Sequence, residues 1–195
     1  AVYLETHQDF PLIVGFEGGT SLRESVEYAL DGGQLLVTRC EGTAEGPTSC
    51  RADIFYLSNG GQMMLQAQEM SSGQRWTAPA LTGTKALWLE ETTTEEKLST
   101  TPLGIDLFTF ETIDLGEGME PAAWKASSGL LLWNTAGSSE AEPVYKLYDF
   151  ETEEEINIEW PGKLVSAVTL TAKTAAAAAE TDGLVRMYTS LAGAA

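Results

Sequence analysis

Histidine is nearly missing from this chain of 195 residues, and cysteine is scarce: one His and two Cys. The lone His7 stands near the N-terminus with no serine motif beside it. Neither a Ser-His-Asp triad nor a Cys-His pair can be assembled from such a sequence. Basic residues are also few, with 11 Lys and Arg against 29 Asp and Glu, a formal net charge of −18. A surface this negative repels phosphate backbones and anionic lipid, so neither nucleic acid nor a membrane is an expected partner. Such charge suits solubility in an acidic or salty extracellular medium. No run of eighteen apolar residues occurs, which excludes a membrane-spanning helix. The first residues, AVYLETHQDF, have neither a basic start nor a long apolar run, and no initiator Met precedes them. They do not read as a signal peptide, and the chain reads as processed or trimmed. Phosphate-cradling glycine motifs are missing too, since Gly18-Gly19, Gly32-Gly33 and Gly60-Gly61 read as turns. No cofactor or metal is expected.

What is present is a globular composition, 43% hydrophobic and 9% aromatic. That is enough to bury one core, and no linker divides the chain, so a single all-β domain over residues 1–195 is expected. Cys40 and Cys50 flank a loop of Glu, Gly, Thr, Pro and Ser. Their spacing suits a disulfide stapling a surface hairpin better than a metal site, and a disulfide implies a secreted or periplasmic home.

The clearest unit is Arg51 to Trp76. Ile54-Phe55-Tyr56 is an apolar-aromatic strand, Ser58-Asn59-Gly60-Gly61 a tight turn, and Met63 to Gln68 a returning strand. After a second turn at Ser71-Ser72-Gly73, Trp76 closes the unit. Upstream, Val2 to Leu4 and Leu12 to Phe16 read as strands. Leu22, Val26 and Leu30 fall at helical spacing, but Val26 to Tyr28, the turn Asp31-Gly32-Gly33 and Gln34 to Val37 read better as a hairpin. A pattern of apolar strand, polar loop and aromatic-ended strand then recurs. It runs from Leu35-Val37 to Tyr56, from Ala86-Leu89 to Phe108, from Leu130-Trp133 to Tyr148, and from Ala167-Leu170 to Tyr188. The closing aromatics stand 52, 40 and 40 residues apart. Such self-similarity predicts a propeller-like array of small antiparallel sheets, with the N-terminal strand near Val2 available to close a ring. A β-sandwich or jelly roll without true repeats is the alternative fold. Ala175 to Ala179 reads as a surface loop or single helical turn. The acids Glu90-Glu91, Glu95-Glu96, Glu140, Glu142, Glu151 and Glu153 to Glu155 read as solvated loops and hairpin tips.

Aromatic residues carry the functional signal. Trp76, Trp88, Trp124, Trp133 and Trp160 recur along the units, and an indole face suits the C–H face of a sugar. Trp88 and Trp133 lie inside apolar strands and read as core. Trp76 and Trp160 flank polar turns and read as pocket residues.

The order of strand, polar loop, aromatic strand, turn, Glu-bearing strand, turn and Trp resembles the repeats of fungal fucose-specific lectins over roughly residues 34–190. The resemblance implies a β-propeller with sugars held between blades by an Arg, a Glu and a Trp or Tyr. In this chain Arg186 (LVRMY) matches the Arg, with Lys146 (YKLY) as a substitute. Glu159 (INIEW) matches the Glu, while Trp160 and Trp76 match the closing Trp. Tyr188 adds to the aromatic platform. At the Arg position the first two units carry Asp53 or Ile54 and Asp106 or Leu107, and the first Glu is replaced by Ala67 or Gln68. Four units is a small number for this kind of lectin, so two chains sharing a ring, a homo-oligomer, is expected. The resulting expectation is a secreted, lectin-like carbohydrate-binding protein without catalytic activity, with a glycan (fucosylated, on the resemblance) as partner. An acidic protein-interaction or structural module is the alternative, and a hydrolase built on a carboxylate pair is the third class.

Overall fold

In the computed structural model, residues 23–43, 46–94, 98–115, 121–135, 144–161, 163–164, 168–171 and 174–191 are described. His7, the strands expected near Val2 and Leu12, and the ring-closing role given to the former lie outside them. Every regular element among the described residues is a strand. No helix is long and apolar enough to cross a membrane.

Among the described residues, four small sheets follow one another along the chain. The first is an antiparallel meander of β1 (Arg23–Asp31), β2 (Gln34–Thr43), β3 (Gly46–Tyr56) and β4 (Gly61–Glu69), in that order. The second holds β5 (Gln74–Thr82), β6 (Lys85–Thr93) and β7 (Leu98–Asp106). The third is a meander of β8 (Pro121–Ser127), β9 (Leu130–Thr135), β10 (Tyr145–Asp149) and β11 (Glu154–Ile158). In the fourth, the short β12 (Lys163–Leu164) and β13 (Thr169–Thr171) pair with β14 (Thr174–Thr181), and β15 (Leu184–Leu191) pairs with β14 along its whole length. The chain separates into two compact units. One holds the residues through Pro79 with Trp88–Ser99, and the other holds Ala80–Leu87 with the chain from Thr100 onward.

The hairpin expected at Asp31-Gly32-Gly33 is present, and the helical spacing of Leu22, Val26 and Leu30 is overridden. The reason is the turn. Gly32 and Gly33 both take positive φ (54° and 81°), as a two-residue type I′ hairpin requires. The same turn recurs at Ser128-Gly129 (52° and 82°) and at Asp182-Gly183 (53° and 73°). Around it the backbone repeats. Leu57 N–H donates to Gly33 O (2.9 Å), Leu107 N–H to Thr84 O (2.7 Å) and Phe150 N–H to Gly129 O (3.0 Å). The first three sheets are therefore copies of one hairpin-based motif.

The repeat is real, but its aromatic markers are not equivalent. By these hydrogen bonds Leu57, Leu107 and Phe150 occupy one position, so Tyr56 corresponds to Asp106 and Asp149 rather than to Phe108 and Tyr148. Phe108 lies past the end of β7, in the turn. The fourth unit is displaced further. Ala175 to Ala179, read as a loop or helical turn, is strand β14, with Ala175, Ala177 and Ala179 buried in alternation. Helix propensity is a weak prior, and a strand buried at every second position wins once packing is counted. Tyr188 consequently sits on the strand that follows a tight two-residue turn, the place held by β2, β6 and β9 in the other sheets. Those three strands each bury four successive residues: Leu35–Thr38, Ala86–Leu89 and Leu130–Trp133. In β15, Leu184, Val185 and Met187 are exposed instead (54%, 63% and 70%), and among the described residues β15 pairs with β14 alone.

Each unit has an apolar cluster. In the first unit, Leu35, Val37 and Phe55 pack together with Val26 and Leu57. In the second unit, Leu130, Leu132, Leu147 and Ile158 of the third sheet pack against Val168, Leu170, Ala175 and Ala177 around the fourth. Each fully buried Leu or Ile contributes roughly 1.5–3 kcal/mol, so this face holds the third sheet firmly.

Candidate functional site

The strand Tyr145–Asp149 alternates strictly. Leu147 points into the core just described, so Lys146 and Tyr148 share the opposite face, and Phe150 continues that side past the strand. On the neighbouring strands Trp133 lies opposite Lys146, and Glu155 opposite Tyr148. This face forms one wall of a cleft of about 780 Å³. The far wall is Lys85, Asp106, Thr109 and the segment from Glu111 to Leu115. All of these residues belong to the second unit. The volume lies within the usual range of small-molecule sites, about 300–1,000 Å³.

The cleft is aromatic and charged. The Tyr148 and Phe150 rings meet edge to face, 5.1 Å between centroids at 78°. The Lys146 ammonium stands 4.9 Å from the centre of the Trp133 ring and donates to Glu155 Oε1 at 2.6 Å. An ammonium is thus held by an indole face and a carboxylate together. Across the cleft Lys85 pairs with Asp106. Asp106 also accepts from the Phe108 and Thr109 N–H groups (2.7 and 3.3 Å). In all, five carboxylates (Asp106, Glu111, Asp114, Glu153 and Glu155) face two ammonium groups. Among the described residues no group of three His, Cys, Asp or Glu is arranged to hold a metal ion.

Both rims are the same four-residue turn. Phe110 N–H donates to Asp106 O (2.7 Å) and Glu153 N–H to Asp149 O (2.8 Å), as Gly60 N–H does to Tyr56 O (2.9 Å). The closing residue takes positive φ in each: 70° at Gly60, 60° at Phe110 and 58° at Glu153. Only the first is a glycine. The two at the cleft carry side chains in a conformation that costs an L-residue about 1–2 kcal/mol. Phe108 and Phe110 stand out from their turn, 82% and 57% exposed.

Burial pushes the Tyr148 phenol above its ordinary pKa of 10.0, and the carboxylates of Glu153 and Asp114 push it the same way. It remains a hydrogen-bond donor at neutral pH. For Asp106, burial acts to raise the carboxyl, but the Lys85 ammonium and the two backbone N–H groups outweigh it and hold the pKa below 3.8. The carboxylate therefore supports the folded turn above pH 3.8, and that support fades as pH falls through the lowered folded value. An NMR titration of the Asp106 carboxyl carbon is expected to give a midpoint below 3.8, and Lys85→Met to move it upward. An unchanged midpoint in the variant would show that the ammonium is not the cause.

Of the residues given a binding role from sequence, only Lys146 lines this cleft. Trp76 is 2% exposed in the first unit, its ring 5.4 Å from that of Trp88, and its indole N–H donates to Glu90. It offers no open face to a ligand, because the turn before it leads straight into a buried strand. Trp88 and Trp133 are buried, as their apolar strands imply (0% and 3%). The remaining four lie elsewhere. Arg186 is exposed and Tyr188 half-buried on β15. The Thr181 hydroxyl donates to Pro161 O at 3.1 Å and lies 3.4 Å from the Tyr188 hydroxyl. Trp160, beside the exposed Glu159, packs on the core of the third and fourth sheets. Glu90 and Glu91, read as loop acids, are structural partners instead. Glu90 accepts from Gln68 and Trp76, and Glu91 pairs with Arg75 at 2.6 Å. The cleft itself was carried by a readable signal, the alternation of Lys146, Tyr148 and Phe150. The facing acids come from a segment, Glu111 to Leu115, with no strand pattern to mark it.

No family model matches the sequence, and no curated protein does. In fold, the chain is similar to the β-propeller domain of the trilobed protease from Pyrococcus furiosus, described as having an open velcro topology. The TM-score is 0.56 at 15% identity, over 89% of this chain and 55% of that one. An oligogalacturonate lyase solved with manganese gives 0.48 at 9% identity, over 81% and 46%. TolB from Acinetobacter baumannii gives 0.42 at 13% identity, over 78% and 46%. The chain spans about half the length of the structures it matches. At such identities the likeness speaks to fold alone: the chain is an all-β, propeller-like array of small antiparallel sheets.

Proposed function

We propose that this chain is a secreted, lectin-like carbohydrate-binding protein without catalytic activity, and that the cleft on the third sheet is its binding site. The observation that carries the reading is the cleft wall itself. Tyr148 and Phe150 supply ring surface for sugar C–H groups, while the Tyr148 hydroxyl and the Lys146–Glu155 pair supply fixed donors and acceptors for sugar hydroxyls. The Cys40–Cys50 disulfide suits an extracellular protein. Arg186 and Tyr188 on β15, with Glu159 and Trp160, are the competing location for the same activity.

A glycan array followed by titration calorimetry tests both. Tyr148→Ala and Glu155→Gln are each expected to weaken binding about tenfold, near 1.4 kcal/mol, whereas Arg186→Ala and Trp160→Ala leave it unchanged. Loss confined to the Arg186 and Trp160 variants would move the site to β15. No glycan signal at all would remove the reading. The excess of carboxylates favours a second reading, an acidic module for a basic protein, which predicts binding that weakens steeply with salt.

A further inference from the structure

We infer that the cleft selects glycans carrying free ammonium groups, such as oligomers of 2-amino-2-deoxyhexose, over neutral and acidic ones. The inference rests on the carbohydrate reading above. Its first support is charge. Lys85 and Lys146 are each committed to a carboxylate, Asp106 and Glu155. Glu111 and Glu153 line the same cleft and make no ion pair among the described residues. Neutral glycans leave these carboxylates without a counter-charge, and acidic ones add to the repulsion.

Its second support is that the wall already displays the required chemistry. Lys146 shows how an ammonium sits there, over the Trp133 ring at 4.9 Å and bonded to Glu155 at 2.6 Å. Tyr148 and Phe150, beside Glu153, present the same combination of ring and carboxylate. An ammonium for the carboxylates and a ring face for the aromatics meet in one molecule, an amino sugar.

The test is calorimetric titration of the whole chain with tetramers of glucosamine, N-acetylglucosamine and galacturonate, at low and high salt, with oligolysine as a charge control. Glucosamine tetramer is expected to bind at least about tenfold more tightly than the other two sugars, with the preference shrinking in high salt. Glu111→Gln with Glu153→Gln should abolish the preference without abolishing binding. Equal affinity for the N-acetylated tetramer, or a preference that survives the double glutamine variant, overturns the inference and leaves the carbohydrate reading in place. Binding of oligolysine with no sugar bound overturns both.

Discussion

Replacing Asp53 with Ala is expected to destabilise the first unit by about 3–5 kcal/mol, the cost of breaking a buried ion cluster from its centre. Asp53 is 2% exposed in the middle of β3, and its carboxylate is shared. Arg51 Nη2 lies 2.6 Å from Oδ1, Arg39 Nη2 3.4 Å from Oδ2, and the Gln62 amide donates to Oδ1 at 3.3 Å. Arg39 and Arg51 face each other directly across β2 and β3. Without the carboxylate two guanidinium groups oppose one another, and like charges in that position are destabilising in their own right. Asp53→Asn is expected to cost nearly as much, since it keeps the shape and loses the charge. Urea denaturation of both variants measures the effect. If Arg39→Met, Arg51→Met and Asp53→Leu together restore the midpoint, the cluster specifies the register of β2 against β3 rather than adding stability. A loss below about 1 kcal/mol for Asp53→Ala would show that the guanidinium groups find water instead.

Asp53 also marks where reading the sequence stopped short. Set against lectin repeats, it appeared only as a position lacking an expected Arg. A lone Asp within Ala52-Asp53-Ile54-Phe55 is a buried carboxylate in waiting, and the two Arg residues at Arg39 and Arg51 are its natural partners. The hairpins were legible because their signals are local. Gly32-Gly33 and Asn59-Gly60 supply the backbone freedom that tight turns need, and alternation supplies the faces. The fourth sheet was not, because Ala175 to Ala179 is helical by propensity and becomes a strand only when Leu130 and Leu132 are available to pack on Ala175 and Ala177. The real landmark there was the Asp182-Gly183 turn, a stronger hairpin signal than the aromatic Tyr188. The candidate site was half legible. Lys146 stood out as a cation beside aromatics, but Glu111, Glu153 and Glu155 are distinguished from solvated acids only by what the topology brings opposite them.

Reduction of the Cys40–Cys50 disulfide is expected to lower the stability of the first unit by about 3 kcal/mol, the entropic value for a loop of this size. The two cysteines are cross-strand partners in β2 and β3, and both are buried (1% and 2%). The bond reaches beyond its own hairpin. Trp76 N–H donates to Cys40 Sγ at 3.3 Å, and the Trp76 indole packs on Trp88 while donating to Glu90 at 3.3 Å. Loosening the staple should therefore change tryptophan fluorescence before the unit unfolds. Urea titrations with and without reductant, read by fluorescence and compared with Cys40→Ala and Cys50→Ala together, separate the chain-entropy effect from the local contact. The double variant loses both; a double variant with the fluorescence of the oxidised protein would leave only the loop closure. An oxidised and a reduced chain of equal stability would remove the staple from the account of the fold.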